Sequence, residues 1–376
     1  MIKNKRILHV TRTYYPDTKG GIEEVIRQIA INTKNLGFET RVFTLSKNSI
    51  QSVIEIDDIK IYRAPLTIEL ASCGMSANAL KLFKELANWA QIINYHFPWP
   101  FMDLLNFFTK NSVKKVVTYH SDIVRQKNLF LLYKPLMKNF LNQANVIVAT
   151  SDNYLKSSKY LQKYKEKVKI IPLGISKQIS DQPTKKQFNR IKNLVGKNFF
   201  LFIGTLRKYK GLNFLLKALV DENIKFVIAG SGPELKTLKD LAKNLQLKNI
   251  IFMGRVSDSE KVSLLRLCCA VVLPSDLRSE AFGVVLLEGA MFKKPLISTE
   301  LGTGTSYVNI NGVTGLVVPR SDSKALRESM LFLKNNRDLA KKMGEAAYER
   351  YKHLFNATLM GNRYAKLYKQ LLKNDI

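Results

Sequence analysis

The chain has 376 residues and 46% hydrophobic content, which is too long for one ordinary domain and sufficient for two packed cores. No apolar run reaches the roughly 18 residues of a membrane span. The first residues, MIKNKRILHVTRTYYP, begin with basic residues, but their apolar run is too short for a signal peptide. Cys73, Cys268 and Cys269 show no metal or disulfide spacing, so a cytoplasmic protein is expected. The formal net charge of +30 favours an anionic partner: nucleic acid, a membrane surface or a phosphorylated substrate.

The first half of the chain alternates predicted strands and helices. RILHVTR predicts a strand, TYYPDTKGG a loop, and the apolar spacing of Ile22, Val25, Ile26 and Ile29 a helix that stops before Gly37. The runs ETRVFTL, QIINYH, KKVVTYH and ANVIVATS predict further strands. This alternation is typical of βαβ units and a mostly parallel sheet.

The second half repeats this pattern after a polar segment. Residues 175–198 lack strong periodicity and are predicted to be a linker. Strands are predicted again at FFLFIGTL, KFVIAG, NIIFMG, AVVLPS, KPLIST and TGLVVP, and the tail ATLMGNRYAKLYKQLLK predicts a basic amphipathic helix. The sequence thus predicts two doubly wound α/β domains with ligands at the carboxyl ends of the strands, in a cleft between the domains.

The stretch RSEAFGVVLLEGAMF contains two acids on either side of an uncharged run. A helix is predicted to begin near Gly283, with Glu280 in the loop before it and Glu288 in its second turn. The free N–H groups at the helix start would bind a phosphate, leaving Glu288 for a ribose and Glu280 for sugar hydroxyls. These N–H groups would come from Ala281, Phe282, Gly283 and Val284. The alternative is a capping Glu280 and a solvent-facing Glu288.

Basic residues follow the first strand of the second domain, in IGTLRKYKG. Lys210 at a helix start could neutralise a diphosphate leaving group, with help from Arg207. An ordinary basic turn is the alternative, and the glycines of the next turn, GSGPE, could be purely geometric. In the first domain, Gly20 and Gly21 would allow a ligand to approach the backbone closely. His120 follows a strand and could donate a hydrogen bond to a sugar or phosphate, although such histidines are more often structural.

Together, these motifs resemble the retaining glycosyltransferases of family 4, which have the two-Rossmann GT-B fold. The resemblance spans nearly the whole chain, and its most specific element is Glu-x7-Glu in SEAFGVVLLE. KGG, TYHSD, GTLRKYKG, GSGPE and NGVTGLVVP occur in the expected order, while ELGTGTSYVN and HSDIV are similar to bacterial mannosyltransferases of O-antigen or capsule synthesis. The resemblance implies an acceptor domain at 1–180, a nucleotide-sugar domain at 181–355, and a helix at 356–376 that packs back on the first domain.

The resemblance also implies roles for individual residues. Glu288 would bind the donor ribose, Glu280 the transferred sugar and Lys210 the diphosphate. The other implied contacts are His120 at the sugar, Gly20 and Gly21 at the phosphates or acceptor, Gly302, Thr303 and Gly304 near sugar and phosphates, and Arg255 and Val256 near the base. One position departs from the family: Thr205 stands where an arginine is common, so Arg207 would have to reach in from two residues on.

The implied reaction is transfer of a hexose from a nucleotide sugar to a lipid-linked saccharide. GDP-mannose is the expected donor, and a UDP-sugar is the alternative, with a nucleotide-sugar epimerase or phosphorylase as further possibilities. No Asp-x-Asp triplet is present, so we expect no metal and no cofactor. A nucleic-acid-binding protein is disfavoured because no recognised motif is present, and an oxidoreductase because Gly-x-Gly-x-x-Gly is missing.

The basic charge suggests where the protein works. Residues 104–180 contain 14 Lys and Arg against three acids, and the segment FLLYKPLMKNF mixes Lys134 and Lys138 with apolar residues. We therefore expect peripheral binding to the anionic inner face of the cytoplasmic membrane through the first domain. The alternative is a core helix with lysines on its rim.

Overall fold

The computed structural model describes residues 5–48, 50–70, 73–123, 127–176 and 182–373. The chain divides into two compact units. The first unit is Met1–Ile175 with Asn356–Ile376, and the second unit is Ser176–Phe355. The division therefore falls after residues 175 and 355, against predicted boundaries after 180 and 355.

Strands and helices alternate along both units, as the apolar runs predict. The strands are β1 (Lys5–Val10), β2 (Phe38–Ser46), β3 (Ser52–Ile56), β4 (Ile59–Pro65), β5 (Ile68–Leu70), β6 (Cys73–Met75), β7 (Ile92–Phe97), β8 (Lys114–Tyr119), β9 (Val146–Ala149), β10 (Val168–Ile170), β11 (Phe200–Ile203), β12 (Phe226–Ala229), β13 (Ile250–Gly254), β14 (Ala270–Leu273), β15 (Leu296–Glu300) and β16 (Gly315–Pro319). The helices are α1 (Gly21–Lys34), α2 (Ala79–Trp89), α3 (Pro100–Leu105), α4 (Lys127–Gln143), α5 (Asp152–Ser157), α6 (Lys185–Val195), α7 (Leu212–Ala218), α8 (Leu235–Asn244), α9 (Asp258–Leu267), α10 (Val284–Met291), α11 (Gly304–Val308), α12 (Ser323–Asn335), α13 (Arg337–Leu354) and α14 (Ala357–Lys373).

The first unit contains a sheet with the strand order β10-β9-β8-β7-β1-β2-β4-β3. Its neighbouring strands are parallel except β3, which pairs antiparallel with β4 at the edge, and β5 and β6 form a separate hairpin. All six residues of β7 are buried, as expected for a central parallel strand that is covered on both faces. In α1 the predicted core residues Val25, Ile26 and Ile29 are buried, whereas Ile22 is exposed.

Helix α14 packs against α1 and so belongs to the first unit. Two of its tyrosines are fully buried and reach polar side chains of the central strands. The Tyr368 hydroxyl accepts a hydrogen bond from Asn94 Nδ2 at 2.8 Å, and the Tyr364 hydroxyl lies 3.0 Å from Thr118 Oγ1. A basic amphipathic helix thus covers the middle of the first sheet.

The second unit has a fully parallel sheet with the order β13-β12-β11-β14-β15-β16. Strands β12 and β14 are buried throughout. The direction of winding reverses between β11 and β14, because β12 and β13 lie on one side and β15 and β16 on the other. Ligands of doubly wound sheets bind at such a switch point, beyond the carboxyl ends of the strands.

The prediction of an irregular linker over 175–198 is wrong for its second half, which forms α6. Thr184 and Gln187 build a capping box: the Gln187 N–H donates to Thr184 Oγ1 at 3.2 Å, and the Thr184 N–H donates to Gln187 Oε1 at 2.8 Å. Only Ile191 and Val195 of the helix are buried, where it packs on α9. Two core residues give too narrow an apolar stripe for the helical period to be visible in the sequence.

Candidate active site

The switch point of the second unit brings together the two sequence motifs that contain Lys210 and Glu280. Lys210 ends the loop after β11, and Glu280 lies in the loop after β14, 70 residues later. Because β11 and β14 are neighbours in a parallel sheet, the loops that follow them meet at the same edge. The strand order therefore places both side chains where a doubly wound sheet binds its ligand.

Lys210 and Glu280 form a direct ion pair in which Lys210 Nζ donates to Glu280 Oε2. Their side chains are only 12% and 10% exposed, and Ser275 Oγ donates to the same carboxylate oxygen at 3.1 Å. Burial acts to lower the pKa of Lys210, but the Glu280 carboxylate opposes this effect, and the net result is a raised pKa. The site thus holds a fully protonated ammonium group at neutral pH.

Glycines let the loops of this site approach each other closely. Gly211 adopts the left-handed conformation (φ 65°), and a Cβ there would lie 2.0 Å from the Pro274 carbonyl oxygen. Beside it, the Asp276 N–H donates to the Tyr209 carbonyl at 3.0 Å, which joins the two loops. In the GSGPE turn, a Cβ on Gly230 would lie 1.9 Å from the Gly204 carbonyl oxygen. The geometric role considered for those glycines therefore accounts for Gly230.

The loop after β15 supports the segment around Glu280. Thr303 is fully buried and its Oγ1 donates to the Glu280 carbonyl at 2.9 Å, while the Gly304 N–H donates to the Ala281 carbonyl at 2.8 Å. Arg278 Nη1 donates to the Gly302 carbonyl at 3.2 Å. The side chain of Thr303 and the N–H of Gly304 are thus engaged in holding the glutamate loop. The sequence analysis did not include Ser275 or Arg278, which are visible only through these contacts.

Helix α10 begins at Val284, with Gly283 as its N-cap in the left-handed conformation (φ 79°). Phe282 is buried and packs edge-on against the Phe355 ring. Glu288, one turn into the helix, accepts a hydrogen bond from Lys261 Nζ at 2.8 Å, and its side chain is 18% exposed. Glu288 is therefore a paired, mostly buried carboxylate rather than a freely solvated one.

The remaining predicted residues of the second unit lie nearer the solvent. Thr205, Arg207 and Arg255 are exposed, and Val256 is half-buried. The positive charge of Arg207 acts to lower the pKa of Lys210, although by less than burial does, so its guanidinium lies close enough for the two charges to interact. This proximity is compatible with Arg207 serving in place of the arginine that Thr205 replaces.

In the first unit, Gly20 is the N-cap of α1 and Gly21 its first residue. The Glu23 carboxylate folds over this turn, since a Cβ on Gly20 would lie 2.6 Å from Glu23 Oε2. Thr13 and Thr18 each donate to Glu23 Oε1 at 2.8 Å. A carboxylate at this position repels phosphate groups and accepts hydrogen bonds from hydroxyl groups.

His120 follows β8 and is almost completely buried. Its Nε2 lies 3.0 Å from His96 Nδ1, and burial lowers the pKa of His120 to about 4. At neutral pH the ring is therefore uncharged, and any hydrogen bond it donates comes from a neutral N–H group. For His120 to donate a ring N–H to a ligand, its proton must be on Nδ1, because Nε2 faces His96.

The fold and the site are thus those of a two-unit α/β protein with a buried lysine–glutamate pair at the switch point of its second sheet. The family model for Glycosyltransferase Family 4 matches residues 19–178, and the model for Glycosyl transferases group 1 matches residues 183–350. The chain belongs to these glycosyltransferases, and the predicted resemblance to family 4 is confirmed.

Two bacterial enzymes match over nearly their whole lengths. The D-rhamnosyltransferase WbpZ of Pseudomonas aeruginosa is 47% identical over 352 residues, which cover 94% of this chain and 92% of WbpZ. The O-antigen chain mannosyltransferase C of Escherichia coli is 44% identical over 369 residues, which cover 98% of this chain and 99% of that enzyme.

Solved structures confirm the predicted GT-B fold class. A sucrose-phosphate synthase from Thermosynechococcus elongatus has a TM-score of 0.80 at 19% identity and covers 99% of this chain and 100% of that chain. HepE from Anabaena, solved in complex with UDP-glucose, has a TM-score of 0.75 at 17% identity and covers 97% of this chain and 99% of that chain. At these identities the likeness concerns the fold alone.

Proposed function

We propose that this glycosyltransferase transfers mannose from GDP-mannose to a lipid-linked saccharide, with retention of the anomeric configuration, in O-antigen or related cell-surface polysaccharide synthesis. Support comes from the two relatives at 47% and 44% identity, whose names specify D-rhamnose and mannose. D-Rhamnose is mannose without its 6-hydroxyl, so both names indicate a sugar of manno configuration. A UDP-sugar donor is the alternative, since the UDP-glucose complex of HepE shares the fold.

The observation that supports transfer most directly is the buried Lys210–Glu280 pair. During transfer the bond between the anomeric carbon and the diphosphate oxygen breaks, and its electron pair leaves with the diphosphate. The acceptor hydroxyl oxygen bonds to the anomeric carbon, and its proton passes to the departing diphosphate. A protonated Lys210 would stabilise that developing charge, and the Arg207 guanidinium would add to it. Glu280 would hold the ammonium in place before the donor binds and accept hydrogen bonds from sugar hydroxyls.

A nucleotide screen tests the proposal. We expect GDP, but not UDP or ADP, to raise the melting temperature, and GDP-mannose to be hydrolysed slowly without an acceptor. Activity should persist in EDTA, because Lys210 would take the role of a metal at the diphosphate. If none of the three nucleotides stabilises the protein, the proposed transferase site is refuted. Stabilisation by UDP alone would indicate a UDP-sugar donor in place of GDP-mannose. Activity that is lost in EDTA and restored by Mg²⁺ or Mn²⁺ would refute metal independence.

Glu288 is predicted to bind the donor ribose. Removing a carboxylate that accepts hydrogen bonds from hydroxyls costs about 1.5–3 kcal/mol, so Glu288→Ala should weaken nucleotide binding about 10- to 100-fold. Isothermal titration with the nucleotide found in the screen measures this loss. Glu345→Ala is the control and should bind normally, because it removes a half-buried glutamate of α13 that pairs with Lys293. Unchanged affinity in Glu288→Ala would place the ribose elsewhere.

We further propose that the first unit docks on an anionic membrane through the α3–α4 surface, defined as Leu104, Phe107, Leu129, Leu131 and Leu132. All five are exposed, Leu131 at 66% and Leu132 at 81%. Tyr133 of α4 donates a hydrogen bond to Asp103 of α3, which joins the two helices. Lys138 and Lys110 nearby in sequence are exposed and Lys134 is half-buried. No helix in the described ranges is both long and apolar enough to cross a membrane.

Vesicle co-sedimentation tests this docking. We expect the protein to sediment with vesicles that contain anionic lipid and not with neutral vesicles. The double variant Leu131→Ser, Leu132→Ser should lose most of that binding, because each leucine that becomes buried in the membrane contributes about 1.5–3 kcal/mol. The matched control is Leu194→Ser, Val313→Ser, which removes two exposed apolar side chains from the second unit. Equal binding to neutral and anionic vesicles would contradict the electrostatic part of the proposal.

A further inference from the structure

Three histidines from three neighbouring strands form a continuous hydrogen-bonded row, here called the histidine ladder: His9 on β1, His96 on β7 and His120 just after β8. His9 Nδ1 lies 3.0 Å from His96 Nε2, and His96 Nδ1 lies 3.0 Å from His120 Nε2. Adjacent rings stack with centroids 5.3 Å apart and planes inclined by 23° and 22°. The sheet order β8-β7-β1 places the three residues side by side.

The ladder has a closed inner end and a more accessible outer end. His9 is completely buried, while His96 and His120 retain 4% and 5% exposure. In the part of the chain that the structure describes, His9 Nε2 is buried and has no hydrogen-bond partner. His120 lies at the carboxyl edge of the sheet, where its backbone N–H donates to the Phe97 carbonyl at 2.9 Å. One ring nitrogen at the inner end therefore remains unsatisfied.

All three rings carry one proton each at neutral pH. Burial lowers the pKa of His9 to about 3 and that of His120 to about 4, and it lowers the pKa of His96 well below its ordinary value, helped by the two neighbouring histidines. Each N···N contact then needs one donor and one acceptor. Only two arrangements satisfy both contacts: every ring protonated on Nδ1, or every ring protonated on Nε2.

The closed end distinguishes these two arrangements. With Nε2 protonation, His9 would bury an N–H group that has no acceptor, and buried N–H groups without a partner are rare in proteins. With Nδ1 protonation, His9 leaves only a bare nitrogen unpaired, and the unshared N–H belongs to His120 at the outer end. There a ligand or solvent oxygen can accept it.

We propose that His96 is a positioning residue that, with His9 closing the inner end, holds His120 in the tautomer protonated on Nδ1. His120 then donates a hydrogen bond from this N–H group to a hydroxyl oxygen of the donor sugar. The sugar contact rests on the proposed function, whereas the tautomer does not. In this arrangement His120 accepts nothing from the ligand, because its only bare nitrogen, Nε2, faces His96. The sugar oxygen at this point must therefore act as an acceptor.

Long-range ¹H–¹⁵N spectra of the ¹⁵N-histidine-labelled full chain test the ladder directly. The chain has four histidines, and the fourth, His353, is exposed and outside the ladder, so four spin systems suffice. At neutral pH we expect His9, His96 and His120 to be protonated on Nδ1 and bare on Nε2. A proton on Nε2 of His120, or a charged ring within the ladder, would overturn the proposal whether or not the enzyme is active.

His96→Asn tests the positioning role. An asparagine amide can turn either its N–H or its oxygen toward His120 Nε2, so the contact is kept while the constraint on the tautomer is removed. We expect His120 to become a mixture of tautomers and kcat to fall about tenfold with a smaller change in the donor KM. Thr118→Val is the control, because it removes buried hydrogen bonds to Asn94 and Tyr364 beside His96 but neither of the two hydrogen bonds of the ladder.

The outcomes separate the two proposals. A tautomer mixture in His96→Asn with unchanged kcat would refute the sugar contact and leave the ladder. An unchanged His120 tautomer in the folded variant would show that His96 does not set it. If Thr118→Val lowers kcat as much as His96→Asn, the loss is structural and the positioning role fails. Absence of sugar transfer in the wild-type protein would refute the proposed function, while the spectra would still report the ladder.

Discussion

Lys210→Met should reduce kcat for sugar transfer about 100- to 1,000-fold, because it removes the buried ammonium group that we propose stabilises the departing diphosphate. Methionine keeps most of the length and the apolar stem of the side chain but lacks the ammonium group and its hydrogen-bond donors. Nucleotide affinity should fall less, by about tenfold, since the charge on the diphosphate grows as the bond to the sugar breaks. Steady-state kinetics with the donor identified by the screen, combined with nucleotide titration, separates the two effects.

Two further variants test whether this loss is specific to the site. Lys208→Met removes an exposed lysine two residues away and should retain near-normal kcat. The double variant Lys210→Met, Glu280→Gln should lose little more than Lys210→Met alone, because the two residues act as one unit. If Lys210→Met keeps more than about a tenth of the wild-type kcat, the ammonium does not provide the main stabilisation of the leaving group.

Glu280→Gln should destabilise the second unit by about 3–5 kcal/mol at pH 7, because it leaves a buried ammonium without its carboxylate. In the wild type the folded-state pKa of Lys210 lies above 10.5, so its stabilising contribution is complete below that pH and is lost as the pH rises through the folded value. Without Glu280, burial dominates and lowers the folded-state pKa. The free energy that the variant loses by burying an unpaired ammonium then decreases as the pH approaches 10.5. The difference in unfolding free energy between wild type and Glu280→Gln therefore becomes smaller.

Measuring this effect requires a probe of the second unit. Both tryptophans, Trp89 and Trp99, lie in the first unit, so their fluorescence does not report it. Native-state hydrogen exchange of peptides from β11 and β14, at pH 7 and pH 10, follows the affected strands. Glu345→Gln on α13, which removes the half-buried partner of Lys293, should leave these rates unchanged. A stability difference between Glu280→Gln and wild type that is constant with pH would show that Lys210 is not the group responsible.

The sequence was sufficient to predict the two parallel sheets, because their central strands are apolar runs too short to be predicted as helices. It was insufficient for α6, where only Ile191 and Val195 are buried and the capping box of Thr184 and Gln187 was the one local signal. The antiparallel edge strand β3 was also missed: its side chains alternate between half-buried and exposed, so no apolar run marks it. Local sequence patterns thus predicted the strands that are buried on both faces of the sheets. They did not predict the edge strand β3 or the weakly buried helix α6.

The site shows a different limit. The sequence analysis gave Lys210 and Glu280 separate ligand roles, whereas the structure pairs them across 70 residues, a contact that depends on β11 and β14 being neighbours. Likewise, His120 was considered alone, and a single histidine after a strand is more often structural. Only the order of β8, β7 and β1 reveals that His120 forms a ladder with His96 and His9.

The membership of α14 in the first unit has a consequence for biosynthesis. Ribosomes deliver the chain from its N-terminus, and domains generally fold as units during synthesis. Here the first unit lacks the helix that packs on α1 and supplies the buried Tyr364 and Tyr368 until the whole second unit has been translated. We therefore expect the second unit to complete its fold first, while the nascent first unit exposes the face that α14 later covers and is a natural client for chaperones.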